Sequence, residues 1–165
     1  MNATIRIASA ADLPAIDEIY NQAVAQHFQT GDLQPIGDRR RQEWFDAHNP
    51  HTYPIYLYEE NGSVLGWLSL SVYRPGRQAL QDVAELSYYV ALAHQGKGIG
   101  TCLLDHAISE SRCMGKRVLF AVIIDGNAAS LSLLKKFGFE KWGYLPEVIS
   151  CYGEVRGQVY LGRVL

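Results

Sequence analysis

The stretch "HQGKGIG", residues 94–100, places three glycines in five positions between two segments of opposite character. Before it, "AELSYYVAL" reads as a strand; after it, "TCLLDHAISESRCMG" reads as a helix. Glycine inside a helix costs roughly 0.5–1 kcal/mol relative to alanine, so a turn this rich in it implies that something approaches the backbone closely. A helix N-terminus offers unpaired N–H groups and partial positive charge, which suits a phosphate. A P-loop needs its lysine directly before Ser or Thr, whereas Lys97 lies between glycines. A dinucleotide loop needs Gly-x-Gly-x-x-Gly near the start of a βαβ unit. Gly96, Gly98 and Gly100 instead read Gly-x-Gly-x-Gly, late in the chain. On spacing alone, a tight turn without any ligand stays open.

The flanking segments predict the rest of the frame. "TIRIAS" alternates as a strand does, and Ser9 with Asp12 forms a capping pattern for a first helix carrying Ile16, Ile19, Tyr20 and Ala23 at helical spacing. Pro14 leaves the start of that helix uncertain by a turn. A polar stretch leads to a short helix around "RRRQEWFDAH", whose arginine run reads as a solvated face. "YPIYLYEE" and "SVLGWLSLSVY" form a hairpin through Asn61-Gly62, which tolerates the positive φ angles of a type I′ turn. After the glycine helix come a buried strand "RVLFAVII", a helix "NAASLSLLKKF" and strands around "FEKWGYL" and "VRGQVYLGRVL". The order βααβββαβαββ predicts an α/β fold: three layers, α-β-α, around a mixed, mostly antiparallel sheet with one βαβ crossover.

Composition narrows the function. At 165 residues, residues 1–165 read as a single domain. A formal net charge of −2 argues against a nucleic-acid partner, and the apolar runs are too short for a membrane span. Cys102, Cys113 and Cys151 make no disulfide framework and fit a reduced, cytoplasmic setting, with ordinary packing expected for the first two. The histidines are scattered and none pairs at metal-ligand spacing, so no metal is expected.

Gln95-Gly-Lys-Gly98-Ile-Gly100 resembles the Gln/Arg-x-x-Gly-x-Gly/Ala acyl-CoA motif of the GNAT N-acetyltransferases. "NAASLSLLKKFGFEKWG" is similar to their Asn-x-x-Ser…Gly-Phe segment, and "RIASAADLPAIDEIYNQAV" to their first strand and helix. "IYNQAV", "EWF" and the Glu-x-Ser/Thr-x-Tyr-Val strand resemble the branch holding phosphinothricin and methionine sulfoximine N-acetyltransferases. The resemblance implies a GNAT fold with acetyl-CoA as co-substrate. Its pyrophosphate would sit on Gln95, Gly96, Lys97, Gly98, Ile99, Gly100 and Thr101, and its pantetheine along Tyr88, Tyr89 and Val90. Asn127 matches a residue touching the cofactor arm, with Lys136 expected near it. A homodimer is the family expectation.

Acyl transfer to an amine needs a base, an oxyanion donor and a route for thiolate release. Glu85 is the one acidic residue in its strand, and composition alone would let it face water at a strand end. The resemblance makes it the base and the Val90 N–H the oxyanion donor. Five residues separate the two, about 16 Å in an extended strand, so a water-mediated path or a bulge is expected. Leu134 stands where the family carries a tyrosine or histidine acid, so no acid is assigned, with Tyr89 as a possible substitute. His27, Phe28, Trp44, Tyr73 and Arg74 are expected around the acceptor, Arg74 holding a carboxylate through a bidentate contact. Cys151 and Val155 depart from the branch, which bears on acceptor identity. The expected activity is N-acetylation of a small amino-acid-like amine of the phosphinothricin or methionine sulfoximine type. A non-catalytic CoA sensor and a protein or peptide N-acetyltransferase are the alternatives.

Overall fold

The computed structural model describes residues 3–165; Met1 and Asn2, included in the domain expected from sequence, lie outside the described residues. The elements are β1 (Ala3–Ile7), α1 (Leu13–Val24), α2 (Asp38–Asp46), β2 (Ile55–Glu60), β3 (Ser63–Val72) and β4 (Val83–Val90) in the first half. Then follow α3 (Ile99–Cys113), β5 (Val118–Ile124), α4 (Ala128–Lys136), β6 (Glu140–Cys151) and β7 (Glu154–Val164). They form one seven-stranded sheet in the order β1-β2-β3-β4-β5-β7-β6, with β4 and β5 its parallel pair. Asn61 and Gly62 both take positive φ, 50° and 78°, as the Asn-Gly turn requires.

Local chemistry explains the element ends. The Ser9 N–H and hydroxyl both donate to Asp12 Oδ2, at 2.8 and 2.9 Å, but they cap a single 3-10 turn. The α-helix proper begins at Leu13, so Pro14 falls in its first turn, where no N–H is missed. Tyr152 and Gly153, with φ of 51° and 79°, turn β6 back into β7.

One apolar cluster fills the side covered by α3 and α4, built on Leu68, Leu86, Leu103, Leu119 and Leu134. A second, under α1 and α2, joins Ile16, Ile19, Leu57 and Trp67. Two sequence expectations fail here. Arg41 is 3% exposed, bonded to Asp17 and lying over the Tyr20 and Trp44 rings, so only Arg39 and Arg40 of the run are solvated. Cys102 and Cys113 are exposed, because the buried stripe of α3 runs through Ile99, Leu103, Ala107 and Ser111 and misses both.

Candidate active site

The site is a gap in the sheet. β4 pairs with β5 only from Val83 to Glu85, opposite Val118 to Phe120. Beyond that the strands part, and β5 continues against β7 as far as Ile124. Leu86–Val90 thus lack a strand partner on that edge while remaining paired to β3 on the other. Ala91 N–H donates to Leu65 O at 2.9 Å, toward β3. Alternation along an antiparallel strand then turns the N–H and C=O of Val90 and Tyr88 outward into the gap. Consistent with this, the Gln95 amide donates to Val90 O at 3.3 Å.

The gap opens into a cleft of about 870 Å³ that the glycine turn closes at one end. Gly96 and Gly98 take φ of 73° and 86°, and the space a Cβ would occupy at either is open. Gly98 is the N-cap of α3, so the first N–H groups of that helix face the cleft. Gly100 differs: its Cβ would come within 3.1 Å of Leu133, so close helix packing requires it. Anion approach and turn geometry are therefore both satisfied at Gly96 and Gly98. Asn127 caps α4 by accepting from Ser130 N–H at 3.2 Å, and its amide donates to Gln29 Oε1 at 3.1 Å across the cleft.

Glu85, Ser87 and Tyr89 share the α1/α2 face of β4, by strand alternation. Burial pushes the Glu85 carboxyl above the usual carboxylate range, while the nearby Arg74 charge pulls it back. Tyr73 and Arg74 line the cleft with Glu85, and the Arg74 guanidinium lies 5.5 Å from the Tyr73 ring centre. The β3–β4 register runs from Val72↔Ala84 to Gly66↔Val90 without a shift. No bulge there shortens the path from Glu85 to Val90, so a base at Glu85 needs water to reach an amine beside the Val90 N–H.

Several residues chosen from sequence lie elsewhere. Lys136 ends α4 while Asn127 begins it, some 13 Å apart at 1.5 Å per residue, and it is absent from the cleft wall. Lys97 also lies off the wall. His27 stacks on Tyr152 at 4.0 Å, and Arg156 covers Phe28 at 4.8 Å, so both rings are engaged by the β6–β7 end. The same loop reaches the cleft through Gln29, Thr30 and Gly31 instead. Trp44 packs on Trp67 beside a second, smaller cavity. Tyr89 packs its ring against Tyr20 and Trp67 and also lines the cleft. Leu134 is fully buried in the core. Sequence reasoning also missed Phe120 and Val122 from β5 and Gln158 and Tyr160 from β7. Their strands were legible, but which face looks into the gap depends on the sheet order.

A splayed parallel pair, a glycine turn at a helix N-terminus and a half-buried carboxylate define an acyl-CoA-dependent transferase. The family described as Acetyltransferase (GNAT) matches residues 15–139, and the chain belongs to it. It is 40% identical over 154 residues to the L-methionine sulfoximine/L-methionine sulfone acetyltransferase of Pseudomonas paraeruginosa, spanning 93% of this chain and 89% of that one. It is 39% identical over 150 residues to the L-amino acid N-acyltransferase MnaT of Escherichia coli, spanning 91% and 87%. Among solved structures, a phosphinothricin acetyltransferase from Sinorhizobium meliloti in complex with AcCoA superposes with a TM-score of 0.92 at 31% identity, over 100% and 89% of the two chains.

Proposed function

We infer that the protein is an acetyl-CoA-dependent N-acetyltransferase of small amino-acid-like amines, of the phosphinothricin and methionine sulfoximine type. The observation that carries this reading is one cleft holding the open glycine turn at one end and the Glu85–Arg74 pair at the other. In this reading the N–H groups from Gly96 to Thr101 hold the pyrophosphate, while Tyr88 and Val90 pair with the pantetheine as an added strand. Asn127 contacts the same arm. Arg74 holds the acceptor carboxylate, and Glu85 takes the ammonium proton through water. The neutral amine then attacks the thioester carbonyl, whose oxygen gains charge against the Val90 N–H. The C–S bond breaks as the second nitrogen proton passes through water to the leaving sulfur, so CoA leaves as a thiol and the product is the neutral amide. The test is thiol release from acetyl-CoA across a panel of amines, beside calorimetric binding of acetyl-CoA. Turnover of amino acids supports the reading; binding without turnover of any amine would replace it with a CoA sensor.

We also propose that residues 1–165 form one GNAT domain, that the protein resides in the cytoplasm, and that it is a homodimer. The free cysteines suit a reducing compartment. The dimer reading is supported by β6, an edge strand that exposes Trp142, Leu145 and Val148 at 48%, 42% and 50%. Val148→Glu should convert a dimer to monomer in light scattering. A monomeric parent would refute the dimer alone.

A further inference from the structure

A second cavity of about 180 Å³ lies between the sheet and α2. Its sheet wall is Trp67, Ser69 and Ser71 of β3 with Ser87 and Tyr89 of β4, and Ser71 faces Glu85 of the main cleft in the β3–β4 register. Directly opposed residues of an antiparallel pair point to the same face, with Cβ atoms about 5 Å apart. Ser87 and Tyr89 line this cavity and the main cleft alike, so these two residues separate them, while Ser69 and Ser71 line the second cavity alone. Three serines here are unexpected. Ser69 is 1% exposed, and its hydroxyl has no partner among the described residues; neither does the inner Nη2 of Arg41. An unsatisfied buried polar group costs about 1–3 kcal/mol, and water at about 30 Å³ apiece fits the volume and the donors.

Ser71 has a defined partner. His48 Nδ1 lies 2.7 Å from Trp44 O and Nε2 lies 3.0 Å from Ser71 Oγ. A carbonyl only accepts, so Nδ1 carries the proton and Nε2 accepts from the Ser71 hydroxyl. Burial lowers the imidazole's proton affinity, which keeps the ring neutral and able to accept. The Ser71 oxygen keeps lone pairs free to accept a further hydrogen bond. His48 is partly exposed, so the Ser71–His48 pair reaches solvent.

We propose that Ser71 and His48, reached from Glu85 through water bridging the facing Glu85–Ser71 pair, form the exit by which the proton taken from the acceptor amine leaves the protein. The inference rests on Glu85 being the base. Transfer to a protonated amine releases one proton per turnover, and acetyl-CoA with a seated acceptor would fill the front of the cleft. The Glu85 O–H bond breaks as the bridging water takes the proton. Ser71 Oγ accepts a proton from that water as its own passes to His48 Nε2. The imidazolium gives one proton to solvent, and exchange with solvent returns the remaining proton to Nδ1, restoring the tautomer that accepts from Ser71. One ammonium proton reaches bulk water, and no electrons are gained or lost. Neither residue touches acceptor or thioester, so both are positioning residues for Glu85.

The test compares thiol release by the parent, His48→Gln, Ser71→Ala, Ser71→Thr and Glu85→Gln proteins in H₂O and D₂O. His48→Gln keeps an acceptor for the Ser71 hydroxyl but cannot carry a proton. It and Ser71→Ala should lower kcat about 10-fold, with the KM for acetyl-CoA unchanged and a larger solvent isotope effect on kcat. Added imidazole should restore His48→Gln, and Ser71→Thr should retain parental kcat. Parental kcat in both His48→Gln and Ser71→Ala overturns the exit, as does a loss with no change in isotope effect and no imidazole rescue, which marks packing alone. If Ser71→Ala does not fold, His48→Gln with imidazole decides. An impaired Glu85→Gln beside unaffected exit variants leaves the base in place and removes only the exit. A fully active Glu85→Gln removes both.

Discussion

Glu85 is kept where a carboxylate is least comfortable, and that discomfort has measurable consequences. Burial raises its pKa and Arg74 offsets the rise only in part. A carboxyl whose folded pKa exceeds its unfolded one binds its proton more tightly in the fold. Its contribution to stability is therefore present at acid pH and is lost as pH climbs through the ordinary carboxylate range to the raised folded value. Glu85→Gln should raise Tm at pH 8 and change it little at pH 4, where the parent side chain is neutral as well. The same substitution should lower kcat by about 10²-fold or more, with acetyl-CoA affinity unchanged, as expected for a lost general base. Thermal melts at the two pH values and steady-state kinetics check both halves. Unchanged kcat at neutral pH, with chemistry limiting, would reduce Glu85 to a structural residue. A gain in Tm bought with lost turnover is the usual trade at a strained site.

At the scale of elements, the glycine turn couples α3 to the cleft, and its three glycines do different work. Gly98 combines a left-handed φ of 86° with open space, whereas Gly62 has a φ of 78° and equal openness in the β2–β3 turn, remote from the cleft. Gly98→Val and Gly62→Val should thus strain the backbone similarly, by about 1–2 kcal/mol. Only Gly98→Val should weaken acetyl-CoA binding, by about 2–4 kcal/mol from lost charge-assisted bonds to the pyrophosphate. Calorimetry on both folded variants decides; equal affinities would move the pyrophosphate elsewhere. These elements were legible because each carries a local signal: strand alternation, helical spacing, the Asn61-Gly62 turn and the glycine run itself. Arg41 was legible in principle, since Trp44 and Phe45, three and four residues on, put it on the packed face of α2. What local signals could not supply was the parting of β4 from β5 after Glu85, which depends on how far β5 follows β7. Contacts between distant segments were equally hidden, such as Gln29 with Asn127, ninety-eight positions apart.

The pocket proposed for the acceptor belongs to the molecule as a whole, because no single segment builds it. The loop after α1 supplies Thr30 and Gly31, the β3–β4 connection Tyr73 and Arg74, β5 Phe120, and β7 Tyr160. Tyr73, Phe120 and Tyr160 form a continuous aromatic wall, with ring centres 4.8 and 5.5 Å apart on either side of Phe120. A cleft of about 870 Å³ that also admits the cofactor arm leaves room for a small acceptor, which disfavours a protein substrate. Within that volume Arg74 is the cation that lines the wall beside Glu85. A carboxylate held by two guanidinium bonds would leave the α-amine directed at the base and the side chain against the aromatic rings. The decarboxylated amine should then lose about 10²-fold or more in kcat/KM relative to its parent amino acid, since it forfeits both charge-assisted guanidinium bonds. The amide, uncharged at the same position, should fall between the two. Measuring all three forms with the parent and with Arg74→Ala separates the claims. Equal turnover of the three forms by the parent would sink the amino-acid reading in favour of a general amine acetyltransferase. Discrimination by the parent that survives unchanged in Arg74→Ala would keep the substrate class and shift carboxylate recognition to another residue of the wall. Discrimination that collapses in Arg74→Ala, with acetyl-CoA affinity intact, would tie substrate choice to the loop that carries this arginine over the gap.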